Sequence, residues 1–403
     1  MTARLLAALA CAGLLVAQRS PVEAAWDLLA KGERAQAVRL LEGIVGANPR
    51  DGEARLLLGS ILAEDGKGPE AIAQLGEAVR LLPRSPLAHN ALGEAFSASG
   101  EMTAARGEFE KAVALDPGFA QAHSNLGMIL AQQGEPAAAA KHLERAIGLF
   151  GKTPDAAHPH YLRAKIYAEQ NEAGKAAEEL QAAVSLRPDF AEAWSDLGEA
   201  RNALLDDAGA FAAFRRSVEL DPENAISRNR LGAEYLRQGN AHEAVPHLRE
   251  AFRLDPKDQS TLYRLQLALR QDGQPEEAGR IKEKLTALLR EIDRESRGAF
   301  TALKLNNDGA ALEKTGNLRG ALEKYRAAVA LDPTHVGIRM NFGVALLRLG
   351  RWKEGLSELR EAVRRDPRNA LAKAALDDAL EQAPAEFGGK KKPAPRPESG
   401  PAR

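Results

Sequence analysis

The chain has 403 residues, 28% of them charged, and 55 Lys and Arg balance 56 Asp and Glu to a net charge of −1. That balance argues against capture of nucleic acid or an anionic membrane by bulk attraction. Its single cysteine, Cys11, lies in an N-terminal apolar run, so removal of that run leaves no disulfide, thiolate nucleophile or zinc–thiolate site.

From the N-terminus, one positive charge (Arg4) precedes an apolar run from Leu5 to Ala17. A run of that length suits a signal peptide and is too short to cross a bilayer comfortably. The reading is a signal peptide over 1–17. Cleavage as late as residue 24 is open, because Leu15-Val16-Ala17 and Val22-Glu23-Ala24 both end in Ala. Two alternatives are acylation of Cys11 after Ala8-Leu9-Ala10, and an uncleaved anchor. Export to the periplasm or beyond is therefore expected, with membrane attachment only through such an anchor or lipid.

Beyond this run the chain repeats. Residues 86–119 read PLAHNALGEAFSASGEMTAARGEFEKAVALDPGF. Leu92, Gly93, Phe96, Ala105, Phe109, Ala112 and Leu115 recur at helical spacing. Gly100 suits a left-handed helix end, and Pro117 cannot continue a helix. Two helices this short cannot bury their apolar faces alone, so copies must stack. Prolines fall 34 residues apart at Pro49, Pro83 and Pro117, at Pro188, Pro222 and Pro256, and at Pro333 and Pro367.

Counting back 17 residues from each real or implied proline gives Gly32, Gly66, Gly100, Gly134, Gly239, Gly273, Gly316 and Gly350, with Asn171 and Leu205 as exceptions. Asn tolerates a left-handed backbone. Leu does not suit it, so that turn is expected to shift toward Asp206–Gly209. Counting back 12 gives Ala in every unit but the last, where Gly355 stands. A small residue there lets two helices approach closely.

The array is read as units 1–8 over 18–292, a connector over 293–301, and units 9–10 over 302–369. Unit 1 has a short first helix near Val22–Ala30, with Trp26 covering the open end. An insertion, GKTPDAAHP at 151–159, lengthens one connection. Unit 8 lacks the terminal Pro and has Lys282 where its siblings have Leu, Phe or Tyr. A longer helix over 275–297, ending in a bend, is expected there. Residues 370–382 read as a capping helix, and 383–403, rich in Pro, Lys and Gly, as a disordered tail.

This 34-residue pattern, with its small residues and closing Pro, resembles the tetratricopeptide repeat family. The resemblance covers roughly 20–369. It implies an all-α, right-handed superhelical solenoid of about ten helix pairs, whose inner groove, lined by the first helix of each pair, binds a peptide or protein surface.

Several stretches mimic chemistry. Gly151-Lys152-Thr153 looks like the end of a phosphate loop, but the Gly required five residues earlier is Ala146, and no strand precedes it. His89, His123 and His160 occupy one place on successive first helices. Elsewhere that place holds Trp194, Leu262 and Leu305, so packing between units is the expectation, ahead of a metal. No carboxylate pair has a partner base or nucleophile in view. The chain is therefore read as non-enzymatic, with no catalytic residue, cofactor or metal.

The resemblance implies inward-facing places that include Asn90, Glu94, Gln121, Ser124, Asn125, Met128, His158, Tyr161, Lys165, Glu192, Glu199 and Asn229, richest between Asn90 and Glu199. They lack the Lys–Asn–Arg set with which some family members grip a terminal carboxylate. The expected function is an exported scaffold or adaptor holding a protein or peptide in its groove, with no nucleic acid or small-molecule cofactor. The alternatives are an arm of an envelope enzyme complex, such as a glycosyltransferase or peptidase, or a part of outer-membrane or secretion machinery.

Overall fold

The computed structural model describes residues 21–384 and 387. The proposed signal peptide, Cys11 and nearly all of the proposed tail lie outside them. The described residues form twenty α-helices and a 3-10 turn at Pro154–Ala156, with no strand. The chain divides after Gly273 into two compact units.

The first unit holds eight first helices and seven second helices in alternation. The first helices are α1 (Pro21–Ala30), α3 (Gly52–Glu64), α5 (Pro86–Ala98), α7 (Ala120–Gln132), α9 (Ala157–Glu169), α11 (Ala191–Ala203), α13 (Ala225–Arg237) and α15 (Gln259–Gln271). The second helices are α2 (Arg34–Ala47), α4 (Gly68–Leu81), α6 (Met102–Leu115), α8 (Pro136–Phe150), α10 (Ala173–Leu186), α12 (Asp207–Leu220) and α14 (Ala241–Leu254). Trp26 packs, partly buried, on the terminal core formed by Val22, Ala25, Leu41 and Leu57.

Most pairs are closed by the same contact. The eighth residue of most first helices is Gly, set against a large apolar side chain 16 residues later. A methyl group on Gly93 would lie 2.7 Å from the Phe109 ring, and one on Gly127 would lie 2.7 Å from Leu143. Gly59–Leu75, Gly198–Phe214 and Gly232–Leu248 repeat the arrangement. In unit 5 the small residue is Ala164, in one core cluster with Leu180. The alanines at the second close approach, Ala37, Ala71, Ala105, Ala139, Ala176, Ala210 and Ala244, are all fully buried. Unit 8 has Gln266 and Lys282 in the Gly and large-apolar places, and the division into two compact units falls between them.

Terminal prolines do more than stop helices. The residue six positions on donates a side-chain hydrogen bond back to the proline carbonyl. Arg55 reaches Pro49 at 2.9 Å, Trp194 reaches Pro188 at 3.0 Å, and Arg228 reaches Pro222. Each bond satisfies a carbonyl at a connection that proline leaves without a continuing helix.

The second unit begins with α16 (Pro275–Lys314), followed by α17 (Leu318–Leu331), α18 (Val336–Arg348), α19 (Trp352–Arg365) and α20 (Ala370–Gln382). Here the expected bend and connector at 293–301 are corrected, because α16 runs through them as one 40-residue helix. The only proline in it is Pro275 at the start, where no helical N–H is lost. Gly298 costs a helix interior only about 1 kcal/mol relative to Ala. An Asp293–Arg297 pair at 2.9 Å supports the same stretch. The C-terminal part of α16 then acts as the first helix of unit 9. Gly309 meets the Tyr325 ring, whose hydroxyl donates to Glu313 at 2.8 Å. Gly343 on Leu359 repeats the contact in unit 10.

The turn at Leu205 is a second correction. It does not shift. Leu205 itself takes φ +62° at the place where its siblings have Gly, and Asn171 takes φ +59°. The register holds because α12 starts on time, with Asp206 as N-cap accepting from the Gly209 N–H at 3.0 Å. Leu205 is 86% exposed, so its side chain gains little there. A left-handed non-glycine residue costs about 1–2 kcal/mol. Leu205→Gly should therefore stabilise the chain by about 1 kcal/mol, read as a raised urea midpoint; a lowered midpoint would show that the leucine has an unrecognised contact.

Candidate functional site

Clefts open where first helices of successive repeats lie side by side. The largest of those described, about 780 Å³, is lined by Glu199 and Asn202 of α11, Asn229, Arg230 and Arg237 of α13, and Ser260 and Arg264 of α15. A second, about 520 Å³, is lined by Lys165 and Glu169 of α9 and by Asp196. The two share Glu199 and Arg230. A third, about 300 Å³ and largely apolar, lies between Trp26, Leu56, Leu57 and Leu87.

A polar ladder ties these helices together. The sixth residue of one first helix donates to the fifth of the helix before it. Asn125 donates to Asn90 at 3.0 Å, Arg230 to Ser195 at 2.9 Å, and Arg264 to Asn229 at 2.6 Å. Within the second unit, Asn341 donates to Asn306 at 2.9 Å. A second rung joins Arg237 to Asn202 at 3.4 Å, and Arg348 to Glu313 at 3.0 Å. The ladder shows in the sequence only as polar pairs 35 residues apart.

The residues selected from the sequence fall into three groups. Gln121, Asn125, Asn90 and Glu94 form one hydrogen-bonded chain. Asn90 and Ser124 are only 2% exposed, and Met128 packs against the neighbouring core. Burial pushes the Glu94 carboxyl above its ordinary range, against the pull of the Asn125 and Asn90 amides. The second group is aromatic. Tyr161 packs on Phe190 at 4.9 Å, with Lys165 over its ring at 5.6 Å and His158 stacked at 6.3 Å. Burial, then Asp196, pushes its hydroxyl up to about 12. Asn229 belongs to the third group, between Asp258 and Arg264.

Glu199 bridges the second and third groups through Arg230 at 2.8 Å. Glu192 is exposed at the start of α11. The Asn90 group lies outside these two clefts, which sit further along the array. Asn202, Arg230, Glu234 and Arg264, not singled out in the sequence, line the largest one.

The histidine ladder has a more specific role than packing. His89 faces the Pro83 carbonyl at 3.2 Å through Nε2 and the Glu108 carboxylate at 2.6 Å through Nδ1. His160 faces Glu179 at 2.7 Å. Burial pushes Glu179 up, but the bonds from His160 and Arg163 outweigh it and hold the carboxyl below its ordinary range. In unit 4 the carboxylate is replaced, and His123 meets His142 with Nδ1 to Nδ1 at 3.0 Å. Among the described residues, no group of three or more His, Cys, Asp or Glu is placed to hold a metal ion. Gly151, at φ +63°, simply ends α8, and the Thr153 hydroxyl donates to the Phe150 carbonyl.

The tetratricopeptide repeat model matches residues 22–86, 64–120, 90–157, 161–225, 229–285 and 309–370. The chain belongs to the tetratricopeptide repeat family, and such repeats imply a protein-interaction scaffold. It is 23% identical over 212 residues to a peroxisomal targeting signal receptor of Candida albicans; the match takes in 44% of this chain and 36% of that protein's length. Among solved structures it is similar to pilF of Pseudomonas aeruginosa, at 20% identity and a TM-score of 0.49, covering 53% of this chain and 97% of that one. It is also similar to YrrB, described as a TPR protein with an unusual peptide-binding site, at 21% identity and a TM-score of 0.39, covering 47% and 96%.

The unit 4 histidine pair sets a pH dependence. Burial lowers both His123 and His142 below the ordinary imidazole value, and each also sees a cationic neighbour, Arg145 for His123 and His123 itself for His142. The folded chain thus binds fewer protons than the unfolded one, so this pair's stabilisation is full above about pH 6.5 and is lost on acidification. His142→Glu restores the pairing seen in units 3 and 5. Urea midpoints should fall between pH 7 and 5.5 for the native chain and fall less for the variant. Parallel profiles would remove the pair as the cause.

Proposed function

We propose that this chain is a non-enzymatic, exported scaffold that holds a segment of a protein partner along the first helices of units 5–8. The observation that carries the reading is the pair of linked clefts from Lys165 to Arg264, floored by helices that the polar ladder holds in fixed register. A preformed surface of this kind costs less ordering on binding than one assembled around the ligand. The walls offer amide, carboxylate and guanidinium groups, with Ile226, 62% exposed, as an apolar contact. Hydrogen-bonding side chains at fixed intervals suit an extended main chain better than a compact small molecule.

Export is supported by the basic residue and apolar run at the N-terminus. It predicts a mature chain in the envelope or medium that has lost at least 17 residues, checked by mass spectrometry of the native protein; a full-length cytoplasmic chain would refute it.

The groove is tested with a photo-cross-linking residue at Ala233, beside the largest cleft, and another at Lys111 on a second helix. A defined partner species should attach in the native envelope from position 233 and not from 111. Equal attachment from both faces would refute the groove.

A further inference from the structure

The two linked clefts hold more carboxylates than cations. Over both linings acidic side chains outnumber basic ones seven to four, although the chain as a whole is balanced at −1. Every cation there already faces an acid or a ring. Arg230 is shared by Glu199 at 2.8 Å and Asp196 at 3.7 Å. Arg237 is shared by Asp207 and Glu234. Arg264 donates to Asn229 at 2.6 Å and lies in the field of Glu234. Lys165 stands over the Tyr161 ring.

An arginine shared by two carboxylates leaves one negative charge over. Asp258 adds another. Its described donors are all neutral: the N–H groups of Ser260 and Thr261 at 3.2 and 2.9 Å, the Thr261 hydroxyl at 2.5 Å and the Asn229 amide at 2.8 Å. Burial pushes this carboxyl up, but those bonds outweigh it and hold the group below its ordinary range, so it is ionised at neutral pH. Oδ1 accepts only the longest of the four bonds and has lone-pair capacity to offer. At the far end of the second cleft, Glu169 is exposed and stands in no ion pair among the described residues. Beside these carboxylates, the largest cleft presents two apolar side chains, Ile226 at 62% and Leu205 at 86% exposure.

We propose that this groove takes a basic protein segment. Its Lys or Arg side chains meet Asp258, Glu169 and the carboxylates that share Arg230 and Arg237, and an apolar residue lies against Ile226. The proposal rests on the scaffold reading of these clefts and adds the partner's charge to it. A guanidinium suits such walls best, because its planar fork can bond a carboxylate through two N–H groups at once. An acidic segment meets like charge along the same walls and is rejected. Neighbouring helix axes lie about 8–10 Å apart and an extended chain advances about 3.3 Å per residue, so the three steps from α9 to α15 call for roughly eight residues.

The test uses the full chain and rhodamine-labelled synthetic dodecapeptides, read by anisotropy at low salt, where screening is weakest. Three peptides share a Leu- and Ala-containing frame and differ only in holding Arg, Gln or Glu at the same four places. The Arg peptide should bind at least tenfold tighter than either of the others, and the preference should fade in 1 M salt, where the Debye length is about 3 Å. Asp258→Asn, which keeps a good helix cap, combined with Glu169→Gln should weaken the Arg peptide at least fivefold with helicity unchanged. Glu144→Gln with Glu178→Gln makes the same change of net charge at exposed places on second helices and should leave binding as it was. Equal binding of the three peptides, tighter binding of the Glu peptide, no binding by any of them, or equal losses in the two double variants overturns the proposal. A partner segment cross-linked at position 233 without an excess of Lys and Arg would leave the groove standing and remove only its preference for charge.

Discussion

The close approach of two helices through a glycine is the constraint on which everything else depends. Most repeats bury one large side chain, such as Phe109, Leu143, Phe214 or Leu248, directly on the backbone of the first helix. At Gly93, Gly127, Gly198 and Gly232 a Cβ would lie 2.7 Å or less from that side chain, so glycine leaves the space. Burial of such a side chain contributes about 1.5–3 kcal/mol from transfer alone. That is a large fraction of what two short helices can gain, and the remainder comes from neighbours. The contact also sets the spacing of the helix pair, and so the spacing at which first-helix side chains are presented to the clefts.

Polar bonds then fix register between repeats. The fifth-to-sixth-place ladder, from Asn90–Asn125 to Asn229–Arg264, joins first helices side by side. Bonds to the terminal proline carbonyls, such as Arg55 to Pro49 and Trp194 to Pro188, anchor the connections. Individually each contributes about 1 kcal/mol. Their repetition is what matters, because a wrong register would leave many buried groups unpaired at once. The groove is thus a by-product of packing, and its chemistry resides in the few groups that packing does not consume, such as the exposed Glu169 of the second cleft.

Most of the fold was legible in the sequence because each repeat carries its own local signals. Glycine at the turn, alanine at the crossing and proline at the end are each required by a local conformation or clash. Leu205 misled because the flanking helices, with Asp206 capping α12, impose the turn at a cost the leucine absorbs. Residues 293–301 misled in a similar way: an irregular spacing of prolines suggested an irregular backbone, yet nothing in the stretch breaks a helix. The candidate site was legible as a face but not as a place. Asn90 and Asn125 look like ligand-binding amides until their partner proves to be each other. The role of the histidines was hidden because the second partner of His89 and His123, a proline carbonyl, leaves no trace in side-chain chemistry.

The most direct measurement is a double-mutant cycle at Gly198 and Phe214, read by urea denaturation. In the native background Gly198→Ala should cost about 1–3 kcal/mol from overpacking. In a Phe214→Ala background the same change should be neutral or slightly stabilising, since the ring is gone and Ala is the better helix former. An equal cost in both backgrounds would contradict the claim that this glycine exists to receive that ring.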